Sequence, residues 1–242
     1  MDRFVQKIWS KSEKNYRIFS LPDAASELPE EFIRLCPWEA EYVFAVTRRA
    51  RHGIIEVGRF NGGSLFVMAC ATANSVPIHS IDLEPQNDGF LQDRLDTFLG
   101  PTQVDLIVGD SQHQKYPHVG QVDILFIDGD HTYEGCLADI ENWYENLMDH
   151  GHLLFHDSYL GTHGVQDAIL DFMQDHPELE IVQTPMIGAT YWHSAVGSIA
   201  HFIKRPHPQP RTPTSISANL TAARSTLDTS AEPSIRSGPK TI

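Results

Sequence analysis

Short apolar runs of strand length alternate with helix-compatible stretches through the middle of the chain. Most of the runs end on an acidic residue. They cover residues 53–58, 76–82, 104–110, 122–128 and 151–157. Strands that alternate with helices predict parallel βαβ units. In such sheets ligands bind beyond the carboxyl ends of the strands, so we expect the acidic endings to gather at one site.

The clearest helical pattern follows the fourth run, over residues 133–148. Apolar side chains recur there at helical spacing on one face, and they are Leu137, Ile140, Tyr144 and Leu147. Three further elements are predicted: a helix over residues 163–176 and closing strands over 179–183 and 195–204.

The 242 residues favour one main domain with additions at both ends. Residues 1–50 are predicted to form helices that pack beside or over the sheet, and residues 51–205 form the domain itself. Residues 206–242 are rich in Pro, Ser and Thr, with apolar residues too sparse to build a core. This last segment is therefore predicted to be a disordered tail.

Composition and charge narrow the classes of function. No stretch resembles a signal peptide or a membrane span, so we expect a cytoplasmic protein without a membrane partner. The net charge of −14 disfavours nucleic-acid partners, which need a basic surface. A small neutral or cationic ligand fits better, and the oligomeric state is not readable, so a homo-oligomer stays open.

The first strand runs into a glycine-rich turn, EVGRFNGGSL. It contains Glu56, then Gly58, Gly62 and Gly63, and then Ser64 at the start of a helix. Such glycines let backbone N–H groups approach a ligand, and the helix N-terminus favours a negative group. The spacing differs from the GxGxxG pattern of dinucleotide-binding turns. The acidic residue two positions before the first glycine suits a ligand with an amino group.

Acidic residues also end the second and third strands. Asp82 lies twenty residues after Gly62, where a carboxylate can accept hydrogen bonds from ribose hydroxyls, although a turn cap is an equal alternative. Asp110, with Ser111, ends the third strand and is a weaker signal. Together with Glu56, these residues favour a ligand that combines a nucleoside with an amino acid.

The fourth and fifth strands end in the sequences FIDGDH and FHD. If these strands are neighbours, their ends lie roughly 5 Å apart, and Asp128, His156 and Asp157 can converge on one ion. Carboxylates bind hard divalent cations, and an imidazole shifts the preference toward Mn, Fe, Co, Ni or Zn. The competing interpretation is a pair of capped turns with a hydrogen-bonded histidine.

The segments IIEVGRFNGGSL, IHSID, FIDGDHTYEGCLADIENW and GHLLFHD occur in this order between about residues 50 and 160. In order and spacing they resemble class I S-adenosylmethionine-dependent methyltransferases, especially macrocin O-methyltransferase and the cephalosporin-hydroxylase-like proteins. The resemblance implies a Rossmann-like α/β fold: a seven-stranded, mostly parallel sheet with an antiparallel last strand and helices on both faces.

The resemblance also implies positions for the cofactor. Glu56 and the turn from Gly58 to Ser64 hold the methionine portion of S-adenosylmethionine. Asp82 holds the ribose hydroxyls, and Asp110 with Ser111 holds the adenine.

The family further implies a divalent cation, Mg²⁺ or Mn²⁺, held by Asp128 and by two adjacent residues that match His156 and Asp157. The family has acidic residues at both of those positions, so His156 is a departure that puts magnesium dependence in doubt.

The resemblance favours an O-methyltransferase that acts on a hydroxyl of a small molecule or sugar. The hydroxyl must lose its proton or bind a cation before it attacks the methyl group. Asp130 or His131 is the expected base, and His131 is preferred because an imidazole pKa near 6.5 suits neutral pH. Two alternatives stay open: a non-catalytic cofactor-binding protein and, with a poorer glycine spacing, an NAD-dependent oxidoreductase.

Overall fold

The structure is a computed structural model that describes residues 28–29, 32–158, 164–183 and 199–206. Most of the predicted domain over residues 51–205 is therefore described. Of the predicted helical segment over residues 1–50, only the part near the domain is described. The predicted tail lies outside the described residues, apart from Pro206.

Seven strands form one sheet in the order β3-β2-β1-β4-β5-β7-β6. They are β1 (Ile54–Val57), β2 (Ile78–Asp82), β3 (Val104–Val108), β4 (Val122–Ile127), β5 (Leu147–Phe155), β6 (Leu179–Gln183) and β7 (Ala200–Lys204). The pairs among β1 to β5 are parallel, and β7 runs antiparallel between β5 and β6. This arrangement confirms the predicted sheet. The strand order reverses between β1 and β4, where a ligand site is expected.

Helices cover both faces of the sheet. They are α1 (Pro37–Thr47), α2 (Gly63–Thr72), α3 (Asp88–Leu99), α4 (Tyr133–Trp143) and α5 (Val165–Asp175). Buried side chains of α1, α2 and α3 share one core with Ile54, and those of α4 and α5 share the other core with Ile55. Both isoleucines are wholly buried, as expected of a strand covered on two faces. No described helix has the length and apolar character that a membrane crossing requires.

The helix predicted over residues 133–148 is shorter than expected. It starts at Tyr133 as predicted but ends at Trp143, and a 3₁₀ turn over Tyr144–Asn146 leads directly into β5 at Leu147. Tyr144 is buried, and its hydroxyl donates a 2.6 Å hydrogen bond to Glu178 Oε1. Leu147 is buried as the first residue of β5. Tyr144 and Leu147 thus continue the apolar spacing of the helix in sequence, although both lie beyond its end.

Candidate active site

A cavity of about 810 Å³ opens at the carboxyl ends of the central strands, next to the point where the strand order reverses. The acidic strand endings gather there as the sequence predicts. Every residue that the sequence assigned to the site lines this cavity except Glu56 and Gly62.

The turn after β1 requires glycine for a steric reason. Gly58 has a φ of +87°, and an added Cβ would lie 1.9 Å from the carbonyl oxygen of Asp128. Gly62 also has a positive φ, of +85°, and precedes the first turn of α2. The backbone of β1 can therefore pass close to the end of β4 before α2 begins at the cavity wall.

Glu56 lies beneath the turn and has no exposed surface. One carboxylate oxygen accepts a 2.5 Å hydrogen bond from Ser64 Oγ, and the other accepts a hydrogen bond from the Ser80 hydroxyl. Burial raises the pKa of Glu56 to about 7, although the two hydroxyl donors oppose that shift. Ser64, which donates to Glu56, lines the cavity, whereas Glu56 itself does not, so its predicted contact with a cofactor stays a prediction.

Asp82 fastens the glycine turn to the end of β2. Its Oδ2 accepts backbone hydrogen bonds from Arg59 at 2.8 Å and Phe60 at 2.7 Å, and its Oδ1 accepts one from Glu84 at 3.0 Å. The carboxylate also lines the cavity. Asp82 thus combines the turn-capping role with the exposure that its predicted ribose contact needs.

Arg59 is a residue that sequence reasoning missed. It is 1% exposed, and its guanidinium makes a paired contact with Asp88 at 2.8 and 2.9 Å. It also donates to the Ser80 carbonyl at 2.6 Å. Arginines in loops are mostly exposed, so no sequence signal indicated this buried cation, which ties the turn to β2 and α3.

Asp110 and Ser111 form the wall beyond β3. Asp110 accepts hydrogen bonds from the Gln112 backbone and lies 2.9 Å from His113 Nδ1, a contact that lowers its pKa. Ser111 Oγ donates to Asp139 at 2.7 Å, and the Ser111 carbonyl accepts from Trp143 Nε1 at 2.9 Å. Ser111 is therefore anchored to α4, and it lines the cavity.

Asp128, His156 and Asp157 converge where β4 and β5 end. The two strands are parallel neighbours with Ile127 beside Phe155, which confirms the adjacency that the sequence assumed. His156 Nδ1 lies 3.3 Å from Asp128 Oδ1 and 3.3 Å from Asp157 Oδ2. The three predicted ligands are thus brought together, and the φ of +50° at Asp157 adds local backbone strain of the kind found at functional sites.

His156 lies on the inner side of the two aspartates. Its Nε2 is 3.2 Å from Oε2 of Glu39, a buried residue of α1. Burial alone would lower the pKa of His156, but its contacts with Asp128, Asp157 and Glu39 outweigh this and raise the pKa well above the ordinary value. Sequence analysis missed Glu39, because no local pattern predicts that a residue of α1 contacts His156.

His131 is the more exposed imidazole of this cluster. Its Nε2 lies 3.4 Å from Asp157 Oδ2 and 3.6 Å from Asp128 Oδ1, and the Asp128 contact raises its pKa. Asp128, His131 and Asp157 each present one ligand atom within 4.8 Å of the others. Two carboxylate oxygens and an imidazole nitrogen at this spacing fit a divalent cation.

Asp130 has a different environment from His131. Its Oδ1 accepts a 2.9 Å hydrogen bond from the Thr132 backbone, which lowers its pKa. Thr132 in turn caps α4 by accepting a 3.1 Å hydrogen bond from Gly135. Asp130 lies at the cavity wall, where it shapes the turn before α4, and His131 points into the acidic cluster.

Known proteins share this architecture. The fold matches the S-adenosylhomocysteine-bound methyltransferase PaMTH1 of Podospora anserina with a TM-score of 0.58 and 13% identity, covering 85% of this chain and 95% of that one. It matches the O-methyltransferase TomG of Streptomyces achromogenes, solved with S-adenosylmethionine, with a TM-score of 0.58 and 16% identity, covering 85% and 97%. At these identities the likeness shows the fold.

Sequence comparison gives a shorter match to a protein of Sinorhizobium fredii, described as uncharacterized protein y4gI. The two are 33% identical over 73 residues, which is 29% of this chain and 8% of the relative. This chain therefore matches only a small part of that relative.

A family model described as a methyltransferase domain matches residues 55–158. That range begins in β1, ends just after β5 and contains the glycine turn, Asp82 and the Asp128–Asp157 cluster. The match does not resolve the macrocin subgroup, which stays a prediction. Over residues 55–158 the chain is therefore similar to methyltransferase domains, and its fold is the one that PaMTH1 and TomG share.

Proposed function

We propose that the protein is an S-adenosylmethionine-dependent O-methyltransferase that acts on a hydroxyl of a small molecule or sugar. The observation that carries the proposal is the position of the Asp128, His131, His156 and Asp157 cluster in the same cavity as the glycine turn and Asp82. A methyl donor and an acceptor hydroxyl must meet within one site, and this cavity offers a binding surface for each. TomG, which shares the fold, is described as an O-methyltransferase.

The cofactor half of the proposal uses the turn after β1. The N-terminus of α2, at Gly63 and Ser64, suits the carboxylate of the methionine portion. Asp82 accepts hydrogen bonds from the ribose hydroxyls, and the segment at Asp110 and Ser111 borders the adenine. These assignments follow the family resemblance, and the cavity lining supports them.

The acceptor half uses the acid and imidazole cluster. In the reaction the acceptor oxygen forms a bond to the methyl carbon while the carbon–sulfur bond breaks, and the hydroxyl proton passes to a base. His131 is the proposed base because it lines the cavity and its Nε2 lies in the cluster, 3.4 Å from Asp157 Oδ2. Asp128 and Asp157 keep the imidazole oriented and favour its protonated form after transfer.

A divalent cation is the finer part of the proposal. Asp128 and Asp157 would hold it with one imidazole, which is His156 in the predicted set and His131 in the set that the geometry brings within ligand spacing. When bound, the cation lowers the pKa of a hydroxyl and orients it. If His131 is the third ligand, proton removal falls to Asp130.

The test is transfer of a labelled methyl group from S-adenosylmethionine to a panel of sugars, polyols and phenols, with products identified by mass spectrometry. The proposal expects a product that is 14 Da heavier than one hydroxyl-bearing acceptor, together with S-adenosylhomocysteine in equal amount. Binding of S-adenosylmethionine without turnover on any acceptor would favour the non-catalytic alternative. Binding of NADH without S-adenosylmethionine binding would overturn the proposal.

A further inference from the structure

A second group of ligand-type side chains lies outside the cavity, on the β2 and β3 side of the sheet. It consists of His79 on β2, Asp105 on β3 and His118 in the loop before β4. The proposed methyl transfer uses none of them, and none lines the cavity. The β2–β3 register places His79 directly beside Asp105, and residues paired across a parallel ladder project to the same face of the sheet.

The spacing of the three side chains suits a tetrahedral metal ion. Asp105 Oδ2 lies 3.3 Å from His79 Nδ1 and 2.7 Å from His118 Nε2, and all three ligand atoms fall within 4.8 Å of one another. Zinc bonds of 2.0–2.2 Å in a tetrahedral site separate the ligand atoms by roughly 3.4 Å. The first pair already has this separation. The second pair must move apart by about 0.7 Å, which the exposed ring of His118 can provide.

Anchored neighbours hold His118 in place. The ring of Tyr116 stacks on Trp143 at a centroid distance of 6.2 Å, and Val119 is buried and donates a 2.9 Å hydrogen bond to the Tyr116 carbonyl. The His118 ring meets His79 edge to face at 5.7 Å. The loop is therefore fixed on both sides of His118, so its backbone is in place before any ion binds, while its exposed imidazole can adjust.

The chemistry of the group selects the class of ion. Two neutral imidazoles and one carboxylate form an N₂O donor set with one negative charge, which favours Zn²⁺, Co²⁺ or Ni²⁺ over Mg²⁺ and Ca²⁺. We propose that His79, Asp105 and His118 form a transition-metal site, with a fourth position open to water. The ion fastens the loop that carries Asp110 and Ser111 to strands β2 and β3.

The chain provides a matched control in His52 and Asp123. His52 Nδ1 lies 2.9 Å from Asp123 Oδ1, and His52 is exposed to the same extent as His118. No second imidazole joins this pair in the groups of ligand atoms found among the described residues. Both places therefore have a histidine–aspartate contact. Only the group around Asp105 adds a second histidine as a third ligand.

The experiment uses the full-length, tag-free chain with Asp128→Asn and Asp157→Asn as the parent, so that the cavity cluster cannot supply the ion's carboxylates. Titration with Co²⁺ should give a visible absorption band at one ion per chain, which Zn²⁺ displaces. His118→Ala should remove the band and weaken Zn²⁺ binding at least tenfold, whereas His52→Ala should leave both unchanged. Circular dichroism checks that each variant folds. We expect His118→Ala to fold, because the His118 side chain is exposed.

Thermal unfolding gives a second readout. Saturating Zn²⁺ should raise Tm by about 5 °C in the parent and in His52→Ala, but not in His118→Ala. Equal binding and equal Tm shifts in His118→Ala and the parent, or no bound ion in the parent, would overturn the proposal. No step measures methyl transfer, so the outcome is independent of the proposed function.

Discussion

The two halves of the cavity differ in the groups that line them. On the β1 and β2 side, Asp82 accepts hydrogen bonds from three backbone N–H groups, Gly58 passes against the Asp128 carbonyl, and the buried Arg59 pairs with Asp88. On the β4 and β5 side, Asp128 and Asp157 face the imidazoles of His131 and His156.

This difference separates binding from chemistry. Main-chain hydrogen bonds stabilise a carboxylate without offering a group that takes up protons, which suits a surface that binds the same cofactor in every cycle. A cluster of carboxylates and imidazoles can hold a cation or accept a proton, which suits the acceptor side. Substitutions on the β1 and β2 side should therefore lower cofactor affinity, and substitutions on the β4 and β5 side should lower turnover.

The largest expected effect comes from removing divalent cations. Chelator treatment should lower the methylation rate by about a thousandfold, since a bound cation is worth several kcal/mol of charge stabilisation. S-adenosylmethionine affinity, measured by calorimetry on the same sample, should not change. Because one ligand is an imidazole, Mn²⁺, Co²⁺ or Ni²⁺ should restore the rate at least as well as Mg²⁺. Full activity after chelation would contradict the cation assignment.

Gly58→Ala should destabilise the domain by about 2–4 kcal/mol, because it combines a strained backbone with a clash in a packed turn. The added Cβ would lie 1.9 Å from the Asp128 carbonyl oxygen. Urea unfolding measures the effect. Gly120→Ala is the control, since nothing lies within 4 Å of its added Cβ. Equal stability of both variants would show that the turn after β1 is not tightly packed.

Asp82→Ala should weaken S-adenosylmethionine binding by about 1–3 kcal/mol, the cost of leaving buried polar partners unsatisfied. The same change also leaves the Arg59 and Phe60 backbone N–H groups without their acceptor, so stability should fall as well. Calorimetry measures the affinity, and Asp96→Ala on the exposed face of α3 serves as the control. Unchanged affinity in Asp82→Ala would remove Asp82 from the cofactor site.

A smaller effect concerns the pH dependence of stability and comes from His201 on β7. His201 is buried between the Tyr42 hydroxyl at 2.7 Å and His152 Nδ1 at 2.8 Å, and burial lowers its pKa to about 3. The unfolded chain protonates this histidine near its ordinary pKa of about 6.5. Its contribution to stability is therefore complete above pH 6.5 and declines as the pH falls toward 3.

Between pH 6.5 and 5 the free energy of unfolding should fall by about 1–2 kcal/mol through His201. His201→Gln should flatten that part of the profile. Chemical unfolding at several pH values measures both slopes. If the wild type and the variant have equal slopes, His201 does not stay neutral in the folded protein.

Much of the fold could be predicted from the sequence because strand and helix periodicities are local. The parallel strands β1 to β5 followed from βαβ rules, and the meeting of Asp128 with His156 and Asp157 followed from the assumption that β4 and β5 are neighbours. The end of α4 was predicted wrongly because Tyr144 and Leu147 continue the helical spacing by coincidence. Arg59 and Glu39 were missed because their roles depend on partners in other elements, which no local pattern encodes.

The most direct test of the separation between the two halves is a paired measurement on Asp128→Asn. Turnover and S-adenosylmethionine affinity are determined on one preparation, beside the wild type. We expect turnover to be abolished, with affinity within about tenfold of wild type, or 1.4 kcal/mol. Retained turnover, or a loss of affinity that accounts for the lost turnover, would contradict the account.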